Sequence, residues 1–501
     1  MSGEAELPAV LYDAAATRAL DRHAIEVAGI AGFDLMQRAG RAAFDALRAE
    51  WPQARRLAIV CGTGNNGGDG FVIAALARAD GFEVDIELVG ATERITGDAA
   101  LARDLAASGG VVPTSRGEAL AARLAAADVI VDALFGTGLD REVAGRQADV
   151  IAAINAAPRP VLAIDVPSGL DASSGRSLGC AVEAQCTVTF IGLKQGLYTG
   201  DGPAHAGRIV YADLDLAPAC LAAVAPTARR IDYATIAHAF GPRRRTAHKG
   251  DFGHVLVVGG APGFAGAARL AGEAALRVGA GLVSLATHPA HAASVTAARP
   301  ELMCHGVADG AALRPLLARA SVVALGPGLG QGEWGRALFA VARDCAVPVV
   351  FDADGLNLLA ADPDLRAGRV LTPHPGEAAR LLGTGTAAIA RDRFAAARAL
   401  TARYGGPVLL KGAGTIVHSD GDLPAVVAGG NPGMASGGMG DVLCGVIAAL
   451  LAQGHAPPEA ATLGACLHAE AADRAAATGG ERGLLAGDLM PWLRTVVNPP
   501  R

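Results

Sequence analysis

Aromatic residues are scarce in this chain, 4% of 501, and charged residues reach only 18%. With 51% hydrophobic residues, so little charge excludes a disordered, charge-rich polymer. No basic face is visible. The 43 Lys+Arg against 49 Asp+Glu leave a net charge of −6, which excludes the electrostatic footprint of a nucleic-acid binder. The richest basic cluster, Arg243, Arg244 and Arg245, lies between Pro/Gly-rich flanks and reads as a solvated linker patch. No apolar run approaches the ~18 residues of a membrane span, and MSGEAELPAV lacks the basic-then-apolar pattern of a secretory signal. Cysteine is sparse too: eight scattered thiols without a CxxC pair read as reduced core residues, not as zinc ligands or disulfides. The expectation is a soluble cytoplasmic α/β protein with no nucleic-acid or membrane partner.

Glycine is abundant, at 66 residues without collagen periodicity, which suggests tight turns and close backbone approaches. At roughly 150 residues per domain, the length predicts two to four domains. Short apolar runs alternate with longer helical patterns. The predicted strands are 57–61, 84–90, 128–135, 160–166 and 186–191, then 253–260, 281–287, 321–326, 347–353, 369–373 and 407–412. Such alternation implies right-handed crossovers and largely parallel sheets covered on both faces. The pattern dissolves into Ala, Pro and Arg at 217–230, which predicts domains at 1–222 and 228–501. The fold class expected is therefore α/β in two domains.

After the first strand comes Gly62-Thr63-Gly64-Asn65-Asn66-Gly67-Gly68-Asp69-Gly70. It satisfies the letter of the dinucleotide fingerprint GxGxxG, with Asp85 near the expected ribose position. Asp69 argues against that reading, because a carboxylate in such a loop competes with a phosphate for helix N-terminal donors. VDALFGTGLDRE (131–142) and IDVPSGLD (164–171) end two further strands with Asp132, Asp165 and Ser168. Ligands bind beyond the carboxyl ends of parallel strands, where these three loops converge.

The strongest signal in the second half is NPGMASGGMGD (431–441) running into an apolar helix. Small residues there expose backbone N–H groups that can stabilise phosphoryl charge. Asp441, placed at the first residue of that helix, is poised to accept a proton from an attacking hydroxyl. TPHPGE (372–377) and KGAGT (411–415) each follow a strand and add His374, Glu377 and Lys411. FDADGLN (351–357) adds Asp352, Asp354 and Asn357, which read as turn residues and stay outside the catalytic set.

LMQRAG (35–40), CGTGNNGGDG (61–70), VDALFGTGL and IDVPSGLD, in this order, resemble the NAD(P)H-hydrate epimerase domain over about residues 10–216. The resemblance implies a Rossmann-like three-layer α/β/α fold. It also implies that Asn65, Asn66, Gly67, Gly68, Asp69, Gly136, Thr137, Gly138, Leu139, Asp140, Arg141, Glu142 and Asp165 contact the hydrate. Asn66, Asp132 and Ser168 would hold a potassium ion, with Asp165 as acid/base. GGAPGFAGAARLAG (259–272), GPGLG (326–330), TPHPGE, KGAGT and NPGMASGGMGD resemble the ADP/ATP-dependent NAD(P)H-hydrate dehydratase domain, of ribokinase-like fold, over about 228–498. That resemblance implies Ala267, Gly328, His374 and Asp441 at the hydrate. It places Lys411, Gly412, Ala413, Gly414, Thr415 and Gly440 at an adenine nucleotide, ADP or ATP. Magnesium would accompany the nucleotide, with Glu377 a candidate to hold it through water. The substrates implied are NADHX and NADPHX, and the family suggests a homo-oligomer. The rival readings are a small-molecule kinase, an NAD-dependent dehydrogenase resting on GxGxxG, and a non-catalytic first half.

Overall fold

The computed structural model describes residues 7–114 and 119–499. The chain divides into two compact units, Met1–Arg229 and Arg230–Arg501. In the first, six strands form one parallel sheet: β1 (Arg56–Cys61), β2 (Glu83–Leu88), β3 (Val129–Ala133), β4 (Val161–Ile164), β5 (Cys186–Phe190) and β6 (Arg208–Ala212), in the order β2-β1-β3-β4-β5-β6. The central strands are buried along their lengths, as their near-continuous Val/Ile/Leu/Ala runs require when helices cover both faces. Helices Gly32–Glu50 and Asn65–Ala79 cover one face, joined there by Leu57, Ile59 and Phe71 in a single core.

The second unit carries β7 (His254–Val258), β8 (Leu282–Thr287), β9 (Met303–Gly306), β10 (Val322–Leu325), β11 (Val349–Phe351), β12 (Arg369–Leu371), β13 (Val408–Leu410), β14 (Ile416–His418) and β15 (Ala425–Val427). Their order is β15-β14-β13-β12-β11-β10-β7-β8-β9. Pairing is parallel from β13 to β9, and antiparallel where β13, β14 and β15 meet. Helices Ala265–Val278 and Met439–Ala452 pack through a glycine. A Cβ on Gly445 would lie 2.0 Å from the Ala271 carbonyl oxygen, so only glycine permits this approach.

All the predicted strands exist; β6, β9, β14 and β15 were not anticipated. Arg243 is exposed, as expected, but it also stacks 3.5 Å over the Phe252 ring and donates to the Gly279 carbonyl at 2.5 Å, contacts the sequence reading did not foresee. Among the described residues, no helix is long and apolar enough to cross a membrane.

Candidate active sites

In the first unit, a cavity of about 470 Å³ opens beyond the carboxyl ends of β1, β3 and β4. The stretch expected as an acidic loop is helical. Asn65 begins the helix, and Asp69 lies in its second turn. The glycines explain why: a Cβ on Gly67 would lie 2.0 Å from the Gly62 carbonyl oxygen, and one on Gly68 2.6 Å from the Met36 sulfur. Gly67 and Gly68 thus let the helix start directly against the strand end. Asn65, Asn66, Asp69, Asp165 and the 136–141 segment line the cavity. Glu142 instead pairs with Arg176 at 3.2 Å on the surface. Asp85 is also spent elsewhere, on Arg123 at 2.5 Å, which removes the ribose contact of the dehydrogenase reading.

Asp165 follows β4 with φ +68, left-handed backbone that non-glycine residues seldom adopt. Its Oδ1 lies 2.6 Å from the Lys194 ammonium, and its Oδ2 accepts from the Thr137 N–H at 2.9 Å and the Thr137 hydroxyl at 2.6 Å. Burial would raise its pKa, but Lys194 and these hydrogen bonds outweigh burial and hold it below the usual carboxylate range. Lys194 is 1% exposed and also donates to the Phe190 carbonyl at 2.7 Å. Asp69 shifts the other way, raised by burial and by the charges of Asp165 and Asp21. Asp21 is pushed up to about 6, chiefly by burial. Sequence reasoning missed Lys194 and Asp21. Asp21 lies inside the helix Ala14–Glu26 with no motif around it, whereas Lys194 follows β5 between Gly192 and Gly196, a strand-end signal that could have found it.

Beneath the cavity, Asp132 is fully buried and accepts from the Ser168 hydroxyl at 2.6 Å, the Ser168 N–H at 2.8 Å and the Leu134 N–H at 3.3 Å. Burial pushes it up to about 6. Among the described residues no basic side chain pairs with it, and both polar atoms of the nearby Asn66 side chain are buried without a hydrogen-bond partner. A buried carboxylate, a hydroxyl and an orphaned amide oxygen fit a monovalent cation of modest charge density.

In the second unit, polar residues gather at the ends of β11, β12 and β13. Asp352 is buried and accepts from Lys411 Nζ at 2.8 Å and from the Thr372 hydroxyl at 2.8 Å. Glu377 lies 3.8 Å from the same ammonium. His374 caps the helix Pro375–Leu382, its Nδ1 accepting from the Gly376 N–H at 3.0 Å, while its backbone N–H donates to Glu377 at 2.8 Å. Burial first, then Lys411 and Arg380, lowers the His374 pKa. Asp441 is the third residue of its helix rather than the first; Gly438, with φ +92, precedes the helix. Burial, Asp352 and Glu377 push Asp441 up to about 7 despite Lys411. The ammonium lies under the start of that helix, since a Cβ on Gly440 would be 3.2 Å from Lys411 Nζ and 3.3 Å from Asp352 Oδ2.

The remaining predicted residues lie on neighbouring loops. Gly328 meets the glycine-rich turn, where its Cβ would be 3.1 Å from that of Ala267. The backbone of Gly412–Gly414 is fastened by Arg393, whose guanidinium donates to the carbonyls of Leu410 at 3.2 Å and Gly414 at 3.3 Å. Thr415 closes the turn onto the Gly412 carbonyl at 3.2 Å, next to Ala413. Asp354, expected as a turn residue, instead lies in the first turn of the helix Ala353–Ala361 and accepts from the Gly330 N–H at 2.9 Å. Asp352 was left out of the catalytic set, yet it anchors the cluster. Nothing in its DAD motif distinguishes it from Asp354 before the strand end is fixed.

Two family models match the chain, the YjeF-related protein N-terminus over residues 32–196 and NAD(P)H-hydrate dehydratase over 255–493. The bifunctional NAD(P)H-hydrate repair enzyme Nnr of Coxiella burnetii is 48% identical, over 98% of this chain and 100% of the relative. The chain belongs to the bifunctional NAD(P)H-hydrate repair enzymes. The Escherichia coli Nnr is 44% identical, covering 98% of this chain and 95% of that one. A crystal structure of the ADP/ATP-dependent NAD(P)H-hydrate dehydratase of Bacillus subtilis, grown with ATP and Mg²⁺, aligns at 27% identity over 52% of this chain and 94% of that one, with a TM-score of 0.47. Membership in this repair-enzyme family disfavours the kinase and dehydrogenase readings and the non-catalytic first half.

Proposed function

We propose that the two units divide the repair of hydrated NADH and NADPH between them. The first interconverts the R and S hydrates, with Asp165 as acid/base in the cavity formed by Asn65–Asp69 and Gly136–Arg141. Asn66, Asp132 and Ser168 hold a potassium ion, which supplies fixed positive charge beside the hydrate. The orphaned Asn66 amide, and a buried Asp132 carboxylate held by Ser168 but facing no basic side chain among the described residues, support that assignment.

The second unit removes water from the S hydrate at the expense of ADP, with ATP the alternative donor. Hydroxide leaves the ring poorly, whereas a phosphate ester leaves readily. Asp441 takes the proton of the ring hydroxyl as it attacks the terminal phosphoryl group. The Gly437–Gly440 amides and the Lys411 ammonium offset the phosphoryl charge. The ring nitrogen lone pair then expels phosphate, leaving NAD(P)H, AMP and phosphate. Ala267, Gly328 and His374 seat the hydrate, and the 411–415 turn seats the nucleotide. Glu377 would hold, through water, a magnesium ion accompanying the nucleotide, which would offset phosphate charge. The eight free thiols support a cytoplasmic setting.

The observation that carries the reading is the placement of Asp441, Lys411 and Asp352 together at a glycine-lined helix start. A mixture of R and S NADHX tests it, through return of reduced-nicotinamide absorbance with no nucleotide, ADP or ATP. Full recovery with one nucleotide is expected. Asp441→Asn should cut that recovery by about 10²-fold or more while R/S exchange continues. Parallel loss of both activities in folded protein would refute the division of labour.

A further inference from the structure

We propose that Asp69 is the proton donor and Asp165 the proton acceptor of hydroxyl exchange at the hydrated ring carbon, and that Lys194 is the positioning residue that holds Asp165 in that role. The inference rests on the epimerase reading of the first unit and adds to it a second catalytic carboxyl and its counterpart cation.

The two carboxyls are built differently. Every contact of Asp165 comes from a donor: the Lys194 ammonium at 2.6 Å, the Thr137 N–H at 2.9 Å and the Thr137 hydroxyl at 2.6 Å. A carboxyl so surrounded has no acceptor for a proton of its own, and it stands as an ionised base. Asp69 lines the same cavity, yet no donor among the described residues reaches its carboxyl. Its charged neighbours are Asp165 and Asp21 on one side of the balance and only the Lys194 ammonium, already engaged, on the other. The shifts run the same way, Asp165 down and Asp69 up, and such divergence marks an acid and base sharing one site. Asp21 is less suited as the donor, since Arg18 and Arg22 as well as Lys194 favour its charged form.

Their placement also suits a shared ring. Asp69 stands on the helix after β1 and Asp165 at the end of β4, with β3 between these strands. Both carboxyls line the one cavity, so a ring bound there can meet both. Asp69 gives its proton to the ring hydroxyl, the C–O bond breaks, and water leaves as the ring-nitrogen lone pair forms a C=N bond. A second water adds to that carbon, Asp165 takes its proton, and the C=N electron pair returns to nitrogen. One water has left, one has entered, and one proton has passed from Asp69 to Asp165. The opposite epimer runs the same path backwards.

The test uses the full chain, so that ADP-dependent dehydration of the S hydrate reports an intact second unit. Asp69→Asn should lower kcat for R-to-S conversion by about 100-fold or more with KM changed less than about threefold. Lys194→Ala should lose about tenfold or more, and added propylamine should restore part of it, which a merely structural lysine would not allow. An unchanged kcat with raised KM in Asp69→Asn, or a loss confined to Asp21→Asn, would overturn the assignment. If the variants fail to fold, the natural chain in H₂¹⁸O still decides. One ¹⁸O per conversion is expected, and enzymatic epimerisation that outruns label uptake overturns the exchange. A natural chain with no epimerisation above the spontaneous rate would sink the epimerase reading itself.

Discussion

Replacing Asp352 with Asn tests the electrostatics of the phosphoryl-transfer site more sharply than removing Asp441. Asp441 works as a proton acceptor only when ionised, and its pKa is raised to about 7 by burial first and then by Asp352. Dehydration by the natural chain should therefore fall as pH drops through about 7, reaching about one tenth of its plateau at pH 6. Asp352→Asn removes a neighbouring negative charge. It also frees a Lys411 ammonium now held 2.8 Å from that carboxylate. Both changes favour the charged form of Asp441. A neighbouring charge moves a carboxyl by roughly one to three units, and Lys411 already offsets part of this one, so about one unit is expected. At pH 6 the variant should then work at about half its own plateau. The assay is initial rate on S-NADHX with saturating ADP from pH 5.5 to 8.5, each profile scaled to its own plateau. That scaling removes any general loss from the broken Thr372 contact. An acidic limb that stays near 7, or moves upward, would refute the reasoning.

Gly136→Ala would place a methyl group 2.8 Å from Asp165 Oδ2 and 3.2 Å from Asn66 Oδ1. R/S exchange should drop by about tenfold or more while ADP-dependent dehydration is untouched, and rates on the separate epimers check this. Asp132→Asn should weaken the response of epimerisation to added potassium, read as activation over a sodium background. In the natural chain that response should fade at acid pH, where a proton on Asp132, favoured by its burial, competes with the cation. Gly445→Ala forces a methyl group onto the Ala271 carbonyl oxygen, which would lie only 2.0 Å away. It should cost about 1–3 kcal/mol, visible as a lower urea midpoint for the second unit.

The buried parallel strands were legible because both their faces are covered, which leaves continuous Val/Ile/Leu runs such as 57–61 and 321–326. The missed strands lack that signal. In β6 four of five residues are partly buried, and β9 has Met303 and Gly306 exposed, so neither shows a clean apolar run. β14 and β15, no shorter than β11, β12 and β13, pair antiparallel with no helix between them and so fall outside the strand–helix alternation that marked the others. At the sites, glycine and strand-end motifs announced Asp165, Asp132 and Asp441. Asp21 lies inside a helix without such marks, Lys194 follows a strand between Gly192 and Gly196 and was passed over, and Asp69 was placed on a loop because its glycines hide a helix that packs too closely for side chains.

The left-handed backbone at Asp165 narrows what mutation can do there. Aspartate, asparagine and glycine adopt φ near +68 readily, whereas most other residues add strain to whatever chemistry they remove. Folded, inactive variants of this position should therefore be confined largely to asparagine and glycine. Most other random changes at this codon would be lost as unstable protein rather than kept as silent, well-folded relics. A saturation library sorted first for soluble chain and then for epimerase activity would show that confinement as a gap in the tolerated substitutions. The backbone thus helps keep an acid at this position independently of selection for turnover.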